Sequence, residues 1–216
     1  IHGKQLVTVE NLAQKNGHDY ILHPVQQIMI EHYGSQCGYC TPGIIMALFV
    51  LYKEHQNATE GIITDALAGN LCRCTGYQAI KDAAIKICKA GNNDHFSKNE
   101  KEIISLLKQI DKSKIKVLKG EEQLFYKPFL IQEILKLKYE QPDALIIAGS
   151  TDIALRQSKK FEHIPKIIEI SDVSELKNIL QYEKELQVGA AVTMEELKFA
   201  IQDSIPQLYQ ILSYFG

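Results

Sequence analysis

No apolar run in this chain of 216 residues approaches the roughly 20 residues needed to span a bilayer. Its opening, IHGKQLVTVE, has no basic stretch leading into an apolar one, the pattern of a secretory signal. Neither sign of charge dominates: 24 Lys and Arg face 26 Asp and Glu, a formal net charge of −2. That balance excludes a domain-sized basic surface for nucleic acid. The Lys-rich stretch 98–119 is broken by Glu and Asp and reads as a solvated face. Seven histidines are scattered without a His-x-x-x-His pair, and those at 23, 32 and 55 are expected at helix ends, doing no more than capping. Walker A, G-x-G-x-x-G and nucleophile-elbow patterns are all missing. No pair of acidic residues stands out for acid–base work, and no catalytic residue is expected. Five cysteines are too few and too clustered for a secreted disulfide framework. The expectation is a cytoplasmic protein with no membrane or nucleic-acid partner.

What is present is concentrated between Gln36 and Tyr77. QCGYCTPG holds Cys37 and Cys40 as Cys-x-x-Cys, and CRCTGY holds Cys72 and Cys74 as Cys-x-Cys. Each pair precedes an expected helix, with Thr41 as N-cap before Pro42 and Thr75 as the cap of the second. Thiolates at two positive helix ends would converge on a site that takes anionic sulfur ligands. Four cysteines can hold zinc or an iron–sulfur cluster. Zinc ribbons usually pair two Cys-x-x-Cys units on hairpin turns, whereas here one pair is Cys-x-Cys and both lead apolar helices. The spacing leans to iron–sulfur and leaves zinc open. Cys88 falls on an apolar helix face and reads as core.

In chain order, Leu6 to Val9 reads as extended and Glu10 to Ala13 as a helical turn. Helices are expected from Pro24 (Val25, Ile28, Met29 and Tyr33 on one side), from Pro42 to His55, from Thr59–Glu60, and from Gly76 or Tyr77 to Cys88. Residues 1–90 therefore form a four-helix domain. Residues 91–124, polar at first, read as a linker in which Ile103 to Ile110 is amphipathic. From Phe125 the pattern alternates: a helix over Phe129 to Tyr139, a strand ALIIAG, a helix start at STDIALRQ, a strand KIIEIS, a strand LQVGAA, and a helix capped by Thr193. That alternation indicates an α/β or α+β domain over 125–216. IIAGSTDI, a strand–Gly–Ser/Thr–Asp–helix junction, could offer several N–H groups to a pyrophosphate, although alone it is more often a capped turn. The chain begins without Met and stops inside a structured pattern, so a piece of a longer protein is expected.

QCGYCTPG followed by GNLCRCTGY resembles the helical [2Fe–2S] domain of the molybdenum hydroxylases, the xanthine dehydrogenase and aldehyde oxidase family. Within it, the chain is most similar to the iron–sulfur/FAD subunit of the bacterial xanthine dehydrogenases. The resemblance implies Cys37, Cys40, Cys72 and Cys74 as cluster ligands, with Gln36 beside a molybdopterin cofactor held by a partner subunit or domain. AGSTDI resembles the first phosphate loop of the FAD domain that follows in this family, of the vanillyl-alcohol-oxidase type. Ile146, Ile147, Ala148, Gly149, Ser150, Thr151, Asp152 and Ile153 would then wrap the FAD pyrophosphate. The implied fold is multidomain, α then α+β. The implied function is electron transfer from molybdenum through a [2Fe–2S] cluster to FAD and on to NAD+ in a hetero-oligomer active in purine catabolism. An aldehyde oxidase or other heterocycle hydroxylase, and a zinc-stabilised interaction module, are the alternatives.

Overall fold

A computed structural model describes residues 2–111 and 114–214. The outermost residues of the two expected domains, 1 and 215–216, and residues 112–113 of the expected linker lie outside the described residues. The chain divides into two units, Ile1–Ile110 and Asp111–Gly216.

The first unit opens with a 3-10 turn at Val9–Asn11. The expected extended piece at 6–9 reaches Thr8, whose backbone is extended, and stops where Val9 enters the turn; Asn11 Oδ1 accepts from both the amide and the hydroxyl of Thr8. That local bonding draws the chain into a turn. A short antiparallel hairpin follows, β1 (Gln14–Asn16) and β2 (Asp19–Ile21), turning at Gly17 with φ +64°. Helix α1 (Pro24–Glu31) starts at Pro24 and is capped by His23, whose Nδ1 accepts the Val25 N–H at 3.2 Å. It buries Val25, Ile28 and Met29. Tyr33 leaves the expected stripe: its backbone turns left-handed (φ 53°) and its ring is exposed. Gly34 then closes the helix end by donating to the Met29 carbonyl at 2.9 Å.

Helix α2 (Thr41–Glu54) buries Ile44, Ile45, Leu48, Phe49, Leu51 and Tyr52. It packs against α1, against α3 (Glu60–Leu67) and against α4 (Gln78–Lys89). Thr59 caps α3 through the Ile62 N–H, and α4 buries Ile80, Ala83, Ala84, Ile87 and Cys88, the expected face. Each large apolar side chain so buried contributes about 1.5–3 kcal/mol. This one core fixes the relative positions of the loops that precede α2 and α4.

The expected linker departs most from the sequence reading. Asp94 caps a helix of 14 residues, α5 (His95–Lys108), by accepting the Ser97 N–H at 2.7 Å. Asp94 is buried, with His23 Nε2 donating to it at 2.9 Å and Lys53 Nζ bridging to it at 2.9 Å. The polar composition of 91–99 therefore reflects a buried ionic anchor rather than a flexible tether. Burial works to raise the Asp94 carboxyl, but the hydrogen bonds from Lys53, Ser97 and His23 outweigh it and hold the group well below the usual carboxylate range. Burial pushes the His23 imidazole below its ordinary value against the pull of Asp94.

The second unit carries a four-stranded sheet ordered β3 (Lys116–Lys119), β4 (Leu124–Lys127), β6 (Lys166–Glu169), β5 (Leu145–Ile147). β4, β6 and β5 run parallel, and β3 is antiparallel to β4. Helix α6 (Ile131–Glu140) links β4 to β5, and α7 (Ile153–Ser158) links β5 to β6. The hairpin β7 (Ile179–Gln181) and β8 (Leu186–Val188) and helices α8 (Met194–Ala200) and α9 (Pro206–Ser213) follow. The three expected strands and the Thr193 cap are present. β3 and β4, short and edged by Lys, gave too little alternation to be read from sequence. The core joins Ile134 and Leu137 of α6 to Ala144, Ile168, Ile170 and Val173. At the end of β4, Lys127 bridges Glu169 at 2.5 Å and Asp172 at 2.9 Å.

Candidate iron–sulfur centre and flavin loop

The loops 35–40 and 70–77 lie at the entries to α2 and α4, and they bring the four expected cysteines together in two pairs. Cys37 and Cys74 act on each other electrostatically, as do Cys40 and Cys72. Each pair thus joins one sulfur from each loop. Cys37 and Cys74 are exposed, Cys40 is half-buried and Cys72 is buried. Gly38 turns left-handed at φ +83°, which lets the Thr41 amide reach back to the Gly38 carbonyl at 3.2 Å. Gly43 of α2 lies close to the second loop: a Cβ there would stand 2.6 Å from Asn70 Oδ1, whose side chain would have to move.

Electrostatics differ from sulfur to sulfur. The Cys72 thiol is lowered to about 7, first by the Thr75 hydroxyl and then by the Thr75 and Cys74 amides. The Tyr39 amide and the Cys74 thiol lower Cys37. The Cys37 contact raises Cys74, and burial followed by the Cys72 contact raises Cys40. One thiol of each pair is thus lowered and the other raised, and four sulfurs shared between two loops form a soft donor set suited to iron–sulfur or zinc. Among the described residues no three His, Cys, Asp or Glu side chains close around a single-ion point.

The helix-cap expectations are corrected in part. Thr41 is the first helical residue of α2 and Cys40 the cap, so this pair does sit at a helix start. Thr41 Oγ1 instead meets Ser35 Oγ at 2.7 Å. Helix α4 begins only at Gln78, and its cap is Tyr77 in the left-handed region. Thr75 is turned to Cys72 Sγ, 3.1 Å away, and accepts the Tyr77 N–H at 3.2 Å. Local loop bonding has taken the hydroxyl that would otherwise cap. Gln36 is exposed beside Cys37. The roles of Thr75 and Tyr77 were not read from sequence, although CRCTGY placed both within reach of the second pair.

In the second unit β5 ends at Ile147, and Gly149 turns left-handed at φ +78° with open space where a Cβ would stand. Ser150, Thr151 and Asp152 form a turn; they do not start the helix as expected, since α7 begins at Ile153 and is six residues long. Within the protein, among the described residues, the amides of Gly149, Ser150, Thr151 and Asp152 find no acceptor. The loop is exposed except for partly buried Ile147 and Ile153. Unpaired amides beside a left-handed glycine fit a bound phosphate through backbone contacts, without help from a long helix dipole.

Residues 8–85 match the "[2Fe-2S] binding domain" family, and residues 114–216 match "FAD binding domain in molybdopterin dehydrogenase". The chain is similar to aldehyde oxidase 1 of Cavia porcellus (28% identity, 96% of this chain, 18% of that protein). It is also similar to xanthine dehydrogenase of Drosophila pseudoobscura pseudoobscura (30%, 96% and 18%). A solved structure, quinoline 2-oxidoreductase from Pseudomonas putida 86, shares 34% identity over 38% of this chain and 50% of that one, at a TM-score of 0.33. The chain belongs to the molybdenum hydroxylase family, as the part that binds a [2Fe–2S] cluster and FAD. It spans about 18% of the length of the curated relatives it matches.

Proposed function

We propose that the chain relays electrons for a xanthine dehydrogenase-like molybdenum hydroxylase. Cys37, Cys40, Cys72 and Cys74 would hold the cluster. Residues 146–153 hold the FAD pyrophosphate through backbone amides. The observation that carries this reading is that the four thiols of two loops lie close enough to act on one another, Cys37 and Cys40 from the first and Cys72 and Cys74 from the second. When bound, such a cluster takes up and passes on single electrons, and a flavin takes up two.

The residues here bind, orient and shield. The buried α2 face from Ile44 to Tyr52 keeps water from the inner sulfurs. Exposed Cys74, Gln36 and Arg73 face outward, where a molybdopterin-bearing partner would approach and form a hetero-oligomer. The substrate is oxidised in that partner, and NAD+ is the final acceptor. Xanthine is favoured over an aldehyde on the resemblance alone.

Metal and flavin analysis of the purified protein tests this reading. Two irons, inorganic sulfide and one FAD per chain with a visible absorbance band support it. One zinc with no band overturns the relay. Steady-state reduction of NAD+ by xanthine, compared with aldehydes, decides the substrate in the assembled enzyme.

A further inference from the structure

The Cys72 sulfur stands apart from the other three in what surrounds it. Thr75 Oγ1 lies 3.1 Å from Cys72 Sγ, and the same oxygen accepts the Tyr77 N–H at 3.2 Å. Accepting that amide uses a lone pair and leaves the single hydroxyl hydrogen free for the sulfur. With Cys72 as a thiol, either atom could donate; as a metal-bound thiolate, the sulfur can only accept. The loop that aims the hydroxyl is strapped at its other end too, since the Cys72 N–H donates to Tyr77 Oη at 2.7 Å. Tyr77 makes this closure with a left-handed backbone, φ +68°, which a non-glycine residue seldom adopts. Cys72 is only 8% exposed, so water screens a hydrogen bond to its sulfur less than one at Cys37 or Cys74.

Resting on the ligand assignment above, we propose that Thr75 sets the reduction potential of the cluster, its hydroxyl donating to the Cys72 sulfur and favouring the reduced, more negative state. Thr75 is a positioning residue: it acts through Cys72 and touches neither substrate nor flavin. In the reduction one iron(III) becomes iron(II) by gaining one electron, and no covalent bond forms or breaks. In the test that electron comes from dithionite.

The full chain carrying its iron and FAD is titrated with dithionite and followed by the EPR signal of the reduced cluster. Thr75→Val keeps the side-chain shape and removes the donor. It should lower the equilibrium constant for reduction roughly three- to tenfold, up to about 59 mV for a one-electron couple, at unchanged iron content. Thr75→Ser should restore the parental potential. A Val variant with full iron at the parental potential overturns the inference and leaves the ligand reading intact. A parent chain holding zinc, or showing no such signal, removes the ligand reading itself. Should Thr75→Val hold no iron, Thr75→Ala and Thr75→Ser are compared in the same titration, and equal potentials overturn the inference. A purely structural Thr75, also fatal to it, would lower the melting temperature without moving the potential.

Discussion

The loops around the cysteines and the loop around Gly149 are built by opposite means. At Cys37–Cys40 and Cys72–Tyr77 side chains make the site: four sulfurs, a hydroxyl on one of them, and a tyrosine folded back on its own loop. At Gly149 the backbone makes it, with a left-handed residue and a run of amides that lack acceptors within the protein among the described residues. The supporting cores differ in the same sense. Four helices and a 3-10 turn hold the first site over one continuous apolar core, whereas short strands with much exposed surface hold the second. A site made of side chains has to be held rigidly, because each donor is one atom on a rotatable bond. A site made of amides needs only the local path of the chain.

Perturbations confined to one unit should break this contrast cleanly. Cys72→Ser removes a soft ligand and should abolish cluster binding. Metal analysis should then find essentially no iron, with FAD content unchanged, because metal binding and folding of the first unit are coupled. Retention of full iron would mean the ligand assignment is wrong. In the second unit Gly189→Ala should cost about 3 kcal/mol, since a Cβ at 189 would run into the Leu176 carbonyl. Chemical denaturation should show a lost or weakened flavin-domain transition with the iron band intact.

The buried anchor of α5 gives a smaller effect. Asp94→Ala leaves His23 without its partner and Lys53 without its nearest carboxylate. Lys53 is about one-quarter exposed (24%) and partly rescued by water, so roughly 2 kcal/mol is expected in place of the full cost of a broken buried pair. The same anchor makes the first unit acid-sensitive. His23 is depressed in the fold, so its contribution is full above the unfolded value of about 6.5 and fades as the pH falls through the lower, folded value. Asp94, also depressed, adds a loss of the same sign below about 3.9. Scanning calorimetry should show the first unit's melting temperature falling between pH 7 and 5, and His23→Gln should flatten that slope. Gly149→Val is the mildest change. Its Cβ has room but its backbone conformation does not suit a β-branched residue, and about 1–2 kcal/mol of strain should weaken FAD retention while sparing iron. Equal flavin content in variant and parent would remove the phosphate-loop reading.

Much of the first unit could be read ahead because its signals are short-range. Pro24 starting α1, Thr59 capping α3 and the apolar faces of α2 and α4 each depend on residues within a turn or two of one another. The failures differ in range. Thr75 was read as a cap, and its hydroxyl is taken instead by the sulfur of Cys72, three residues back. Asp94 fell in a supposed linker, and its partner His23 lies 71 residues away, where local pattern does not name it. The flavin domain's strands β3 and β4 were missed because neither has an apolar face long enough to show.

By itself the sequence determined the soft donor set and its two spacings, the helices that carry it, and a glycine where the chain must turn left-handed, because residue type and neighbours a few positions away decide each of these. Only the tertiary structure decided that sulfurs from the two loops meet and that a buried carboxylate pins α5 to the helical core. Those outcomes depend on how close packing brings distant loops together, and on the long-range hydrogen bonds that burial then obliges their polar groups to make.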